Sequence, residues 1–330
     1  MNRYRIHGMN VLTNYVFPFP QTEFSDSDIG LTIIYKGKIK NLQSFQKRNE
    51  RRVWHKSNNS YYLQYCRTDS PDFLSFEYSE GGKTITVSRN NDYSSDISLI
   101  ILNPAISAAL YLQGITCLHA SGVVINGKAV LFTGESGAGK SSLTSNLAAL
   151  GHQFLCDDLA AIDFANDGVF VKPAFPMLKA SSAAIRAAGI PDSAVFRAAQ
   201  WAEDEYWIPD SALKAGFCKT QVPLEAIYHI KGRKENITQP EFVELSPSNG
   251  AFLISKQLYG KTWLKHCNSE SFKPCSRIAS NVKITEIWTP EDAERIKATS
   301  EQINTFHGYI SKSPSSDNLS QRKTELYLAE

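Results

Sequence analysis

The residues best suited to chemistry in this sequence are Gly134-Glu135-Ser136-Gly137-Ala138-Gly139-Lys140-Ser141, followed by Ser142. They fit G-x-x-x-x-G-K-[ST], a loop that cradles the phosphates of a nucleoside triphosphate. Its glycines let backbone N–H groups turn inward on phosphate oxygens. Lys140 is spaced to reach the β- and γ-phosphates, and the Ser141 hydroxyl to bind Mg²⁺. Sixteen residues beyond Ser141 stands Asp157, followed by Asp158. Adjacent aspartates at a strand end point in different directions, so one can serve the metal while the other faces an acceptor. Asp157 is the choice for the carboxylate that takes the acceptor's proton. His119, ahead of the loop, is placed to orient Asp157 or to contact phosphate, although a lone histidine at a strand start more often has a structural role.

Such groups work only if the surrounding chain holds them. The apolar run Ala129–Thr133 predicts a strand entering the loop, and Ser142–Leu150 carries apolar residues at helical spacing, closed by Gly151. Asn126-Gly127 between two apolar runs predicts a hairpin that pairs the loop strand with a strand from Leu118 to Ile125, with His119 at its start. His152–Cys156 reads as a buried strand ending on the aspartates. Helices are expected over 95–112, with Pro104 as a kink, and over 181–189, 193–203, 247–259 and Pro290–Phe306. Pro173–Pro176 reads as a loop, and 224–230 and 282–288 as strands. Before residue 93 the alternating segments predict a small antiparallel sheet with a turn at Lys36-Gly37-Lys38.

The run from His119 through Asp158 resembles the HPr kinase/phosphorylase family. The likeness rests on a histidine opening a strand, the loop Gly134 to Ser141, Gly151-His152 at the helix end, and Asp157-Asp158 closing a strand. It implies an α/β fold: a P-loop kinase core with a mixed sheet, preceded by a small β-rich N-terminal domain. By the same likeness Asp157 is the general base supported by His119, Lys140 acts on the phosphates, and Ser141 with Asp158 lies on the metal side. ATP and Mg²⁺ are then the cofactors. The later G-x-x-G-N-x-x-E signature has no counterpart here. The opening Tyr4-Arg5-Ile6-His7-Gly8, the Pro173-Ala174-Phe175-Pro176 loop and the helix from Pro247 to near Tyr259 are similar to HPr-kinase-like proteins of lasso-peptide biosynthesis. Those kinases phosphorylate a serine of a precursor peptide.

The expected organisation is a β-rich domain over 1–93, a catalytic domain over 94–310 and a disordered tail over 311–330. The expected activity is serine phosphorylation of a peptide or protein. The alternatives are a kinase of a small hydroxyl metabolite, such as a free amino acid or sugar, and a nucleotide-binding regulator. A basic run, from Lys36 to Lys56 with Glu50 as its one acidic residue, slightly favours a polymeric acceptor. A net charge of +2 gives no general argument for nucleic acid or membrane. The N-terminus has no signal-peptide core, the six cysteines form no C-x-x-C pair, and the expected compartment is the cytoplasm. Homo-oligomerisation is left open. For a cation completing the site, Lys214, Lys219 and Arg233 stand without a choice among them.

Overall fold

The chain forms a mixed α/β structure. The computed structural model describes residues 1–39, 52–57, 60–66, 73–90, 97–165, 168–199, 203–260, 269–291 and 294–308. Most of the basic run, the expected boundary at 93, the start of the helix expected over 95–112, and the expected tail lie outside the described residues.

Seven strands make the N-terminal sheet: β1 (Asn2–Ile6), β2 (Met9–Thr13), β3 (Leu31–Lys38), β4 (Arg52–Ser57), β5 (Ser60–Cys66), β6 (Phe73–Tyr78) and β7 (Thr84–Arg89). Their order is β1-β2-β3-β7-β6-β5-β4, and β3 runs parallel to both neighbours, so the sheet is mixed rather than antiparallel. The long connections on either side of β3 allow this, since only tight turns force antiparallel pairing. Gly37 (φ +72°) is a bulge inside β3, where the register shifts against β7, and not the expected turn.

The helical run that follows is buried throughout most of its length. It consists of α1 (Ser98–Ile100), a π turn over Ile101–Ala105 and α2 (Ile106–Leu112). Pro104 sits inside the π turn, where its missing N–H and its ring are accommodated by the wider hydrogen-bond loop.

The second sheet has nine described strands. Along its main path lie β8 (Thr116–Leu118), β9 (Ser121–Ile125), β10 (Lys128–Gly134), β11 (Gln153–Cys156), β12 (Ala160–Ala165), β13 (Gly168–Lys172) and β17 (Val222–Arg233). These run in the order β11-β9-β10-β17-β13-β12-β8, with β18 (Glu241–Glu244) and β19 (Lys283–Thr289) branching from β17. The Asn126-Gly127 hairpin forms as expected, with both residues at positive φ and Ile125 facing Lys128. The expected single strand 118–125 is instead two strands. β8 pairs with β12 and β9 with β10, and His119 lies in the bend between them. The parallel trio β10, β17 and β19 brings its carboxyl ends, and so the glycine-rich loop, to one edge.

After β10 comes α3 (Lys140–Leu150). It buries Leu143 and Leu147, one turn apart, in an apolar cluster with Val130, Phe132 and Ile303. Each such side chain contributes about 2 kcal/mol relative to exposure. A small third sheet holds β14 (Met177–Ala180), β15 (Phe196–Arg197) and β16 (Tyr206–Pro209) in the order β14-β16-β15. Between β14 and β15 lies α4 (Ser182–Ala187), within the expected 181–189 helix, with Ser181 capping it through Ala184 N–H. The expected helix over 193–203 does not form over its described residues. Asp192–Ala194 is a 3₁₀ turn, and Phe196–Arg197 pairs with Tyr206–Trp207.

The remaining helices are α5 (Pro247–Lys256), α6 (Ser269–Asn281) and α7 (Arg295–Phe306). The last begins later than the Pro290 start predicted from sequence. None of the described helices is long and apolar enough to cross a membrane.

The N-terminal sheet does not stand apart. One apolar cluster joins Tyr4, Ile33 and Phe76 to Ile101 and Ala108 of the buried helices, and on to Leu118, Leu131 and Phe175 of the second sheet and its loops. His7 N–H donates to Ala174 carbonyl (2.8 Å), and the Phe19 ring stacks on Phe175.

Candidate active site

The loop takes its shape from what crosses it. Gly134 ends β10 at φ +146°, and a Cβ there would stand 2.7 Å from the Ile230 carbonyl oxygen on β17. No other residue fits without moving the parallel strand. Gly139 (φ +108°) then turns the chain into the first turn of α3, whose free N–H groups open on the loop.

Lys140 is buried, and its ammonium donates to the carbonyls of Gly134 (2.9 Å) and Glu135 (3.1 Å). Burial lowers its pKa, against the opposing charges of Asp158, Asp157 and Glu135. Ser136, Gly137, Gly139, Lys140, Ser141 and Ser142 face a cavity of about 340 Å³. Gly134, Glu135 and Ala138 belong to the same turn: Glu135 is exposed, and Ala138 packs against the apolar cluster that holds Leu143.

Asp157 and Asp158 follow β11 and part company at once. Asp158 holds φ +60°, and Leu159 N–H donates to the Asp157 carbonyl at 2.7 Å, a three-residue turn centred on Asp158. A non-glycine residue in this conformation costs on the order of 1 kcal/mol, and such positions concentrate at functional sites. The turn sends Asp157 inward. Its Oδ1 accepts from Ser121 Oγ (2.6 Å) and Ser141 Oγ (3.0 Å), and its Oδ2 from Lys179 N–H (3.2 Å). Asp158 instead faces the cavity, with Oδ1 3.8 Å from His119 Nε2 and Oδ2 2.9 Å from Lys179 Nζ. The first distance is too long for a hydrogen bond. Ser141, which the resemblance sets with Asp158 on the metal side, hydrogen-bonds through its hydroxyl to Asp157.

The two carboxylates titrate apart. Burial, then the neighbouring Asp158 charge, pushes Asp157 up to about 6. Burial acts on Asp158 in the same direction, but Lys179 and His119 together outweigh it and hold Asp158 below the usual carboxylate range. Lys179 is mostly buried, yet Asp158, Asp157 and Glu205 raise its pKa above the ordinary lysine value.

A stability prediction follows from Asp157. With its folded pKa near 6 and an unfolded value near 3.9, the folded state binds more protons than the unfolded between those limits. Stability therefore falls as pH rises across that window and stays reduced above it, by on the order of 3 kcal/mol. D157N removes the effect. Thermal melts should show the variant gaining on the wild type from pH 4 to pH 6.5, and parallel curves would refute the assignment.

Lys179 was not singled out from the sequence. The signal was there: a lysine within the apolar run Met177-Leu178-Lys179-Ala180 must find carboxylates. Strand β14 carries it, and pairing with β16 (Lys179 opposite Trp207) brings Glu205 within 2.9 Å of its ammonium. Lys214, Lys219 and Arg233 are exposed and do not line the cavity. Asp204 completes the far wall and accepts from Ser182 N–H (3.0 Å).

Mg²⁺ suits this arrangement. It takes one or two protein oxygens and otherwise water and phosphate, and the Ser141 hydroxyl beside the Asp157 carboxylate offers that pair. Among the described residues no group of three or more His, Cys, Asp or Glu could hold a metal alone.

Among solved structures, that of the HPr(Ser) kinase/phosphatase from Coxiella burnetii is similar to this chain. It is 14% identical, with 58% of this chain and 95% of that chain covered, at a TM-score of 0.30. No protein-family model and no curated protein matches the chain.

Proposed function

We propose that this chain is an ATP- and Mg²⁺-dependent kinase that transfers the γ-phosphate to a serine hydroxyl of a peptide or protein, with a lasso-type precursor peptide as the most specific form of that acceptor. The observation that carries the reading is a single cavity. One wall is the Gly134–Ser142 loop, and the other holds Asp158, His119 and Lys179. A nucleotide-binding regulator needs the first wall but not the second.

Bound ATP would supply the transferable phosphoryl group, and Mg²⁺ would neutralise its charge. The loop N–H groups and Lys140 would bind phosphate oxygens, and Ser141, backed by the Asp157 carboxylate that accepts from its hydroxyl, would hold the metal. Asp158 accepts the acceptor's proton at Oδ1 or Oδ2, since it is the carboxylate that opens on the cavity. This distribution exchanges the two aspartate roles that the family resemblance implies. The pKa order argues the other way, because a base near 6 accepts a proton more readily than one held low. Geometry takes precedence: a base must first reach the hydroxyl, and phosphoryl transfer through a loose transition state asks little of its basicity. His119 beside Asp158 limits the freedom of that carboxylate.

The test is to incubate the protein with ATP, Mg²⁺ and separate pools of serine-containing peptides and of small hydroxyl metabolites, and to read both by mass spectrometry. Phosphoserine in the peptide pool alone supports the reading. Phosphate on a metabolite moves the acceptor to the small-molecule class. Nucleotide binding with transfer to neither pool leaves the regulator.

A further inference from the structure

We infer that Tyr259 is a positioning residue that holds the His119 imidazole against Asp158. The inference rests on the kinase reading above.

His119 sits where the sheet gives it least support. The strands on either side of it diverge, β8 to β12 and β9 to β10 and β11. No ladder partner in those strands fixes the bend at His119. The hold comes from the segment that follows α5. Leu258 bridges Leu118 in antiparallel fashion. His119 N–H donates to the Gln257 carbonyl (2.8 Å), and Tyr259 N–H donates to the Cys117 carbonyl (2.9 Å). Residues 257–259 thus act as a short extra strand on the free side of β8, and they clamp the backbone of the bend.

The side chains continue the clamp. The Tyr259 ring meets the His119 ring at 5.9 Å between centroids and 81° between planes. This edge-to-face contact restricts the imidazole's rotation. Tyr259 is itself backed by the main apolar cluster, so it is a firm surface. The imidazole Nε2 also lies 3.8 Å from Asp158 Oδ1. His119 is therefore held by one ring and one carboxylate while 37% of its side chain remains open. Misplacing a catalytic group by about 1 Å can cost 10²-fold in rate, so a fixed rotamer matters here.

The experiment uses the full chain in five forms: wild type, Y259F, Y259L, H119A and H119A/Y259L. The probes are γ-labelled ATP with a randomised serine peptide pool for turnover, and a fluorescent ATP analogue for nucleotide affinity. Y259L is expected to lower kcat by about 10-fold to 100-fold with nucleotide Kd unchanged, and Y259F to restore it, because the ring and not the hydroxyl makes the contact. In the H119A background, Y259L should cost nothing further. A merely structural role would lower H119A further and shift nucleotide affinity as well, which would overturn the inference. So would full activity in Y259L.

Histidine ring NMR gives a reading independent of turnover. The His119 resonance should move in Y259L and stay in Y259F. A His119 signal unchanged in Y259L overturns the positioning role even in an active kinase. A wild type that transfers phosphate neither to peptides nor to small hydroxyl metabolites overturns the kinase reading and this inference with it.

Discussion

D158N is expected to lower kcat by about 10³-fold, within the range for loss of a positioned proton acceptor, while ATP affinity stays within a few-fold of the wild type. Asparagine tolerates the left-handed conformation that Asp158 holds at φ +60°. It also keeps the side-chain shape, and Lys179 retains Glu205 at 2.9 Å. What is lost is the negative charge and the ability to take a proton. D157N should behave differently. That side chain is buried against Ser121 and Ser141 and does not line the cavity. Its loss should raise the Mg²⁺ concentration needed for half-maximal rate by tenfold or more, and excess metal should recover part of the activity. Single-turnover assays across a metal titration separate the two cases. If D157N is inactive at every metal concentration while D158N keeps most of its rate and loses metal affinity, the roles implied by the family resemblance are correct and those proposed above are reversed.

K179M should cost about 10²-fold to 10³-fold in kcat, the range for removing one preorganised charge from a phosphoryl-transfer site. The lysine is the one described ammonium on the cavity wall opposite the loop. It also spans Asp158 and Glu205, each at 2.9 Å. Removing it leaves the adjacent carboxylates of Asp157 and Asp158 without their shared cation. Breaking a fully buried pair costs about 3–5 kcal/mol. Glu205 is 41% exposed, so about 2 kcal/mol is the better expectation after solvent screening.

The pH profile gives a sharper sign. Lys179 helps hold Asp158 below the usual carboxylate range. Without the lysine that pKa rises, so the protonated and inactive form persists to higher pH. The acid limb of kcat in K179M should therefore move towards neutrality, whereas K179R should keep it near the wild-type position. An unmoved acid limb in K179M would mean that Asp158 is not the group titrating in the rate.

Much of this site could be read locally. The loop, the Asn126-Gly127 hairpin and the paired aspartates each depend on residues a few positions apart, and short-range backbone chemistry decides them. What could not be read was which aspartate turns inward. That depends on the φ of Asp158 and on Ser121, whose hydroxyl arrives from a different strand. Lys179, Glu205 and Tyr259 reach the site through strand pairings that no local pattern announces. The 193–203 stretch misled for the opposite reason. Its alanines favour a helix, but Phe196–Arg197 gains more by adding to β16, and Ala198 and Ala199 are buried. Parallel pairing of β3 was equally out of reach, because the alternation of residues along a strand does not encode the direction of its neighbour.

The shared apolar cluster constrains how such a protein can change over generations. Because Tyr4, Phe76, Ile101 and Leu131 belong to one continuous interior, the loop-bearing sheet taken without the N-terminal one would carry a bare apolar face. Replacement of the N-terminal sheet would have to restore apolar side chains of about the same total volume across that face. The two sheets are therefore coupled through packing: a change of side-chain volume on one side of that interior must be met by a complementary change on the other.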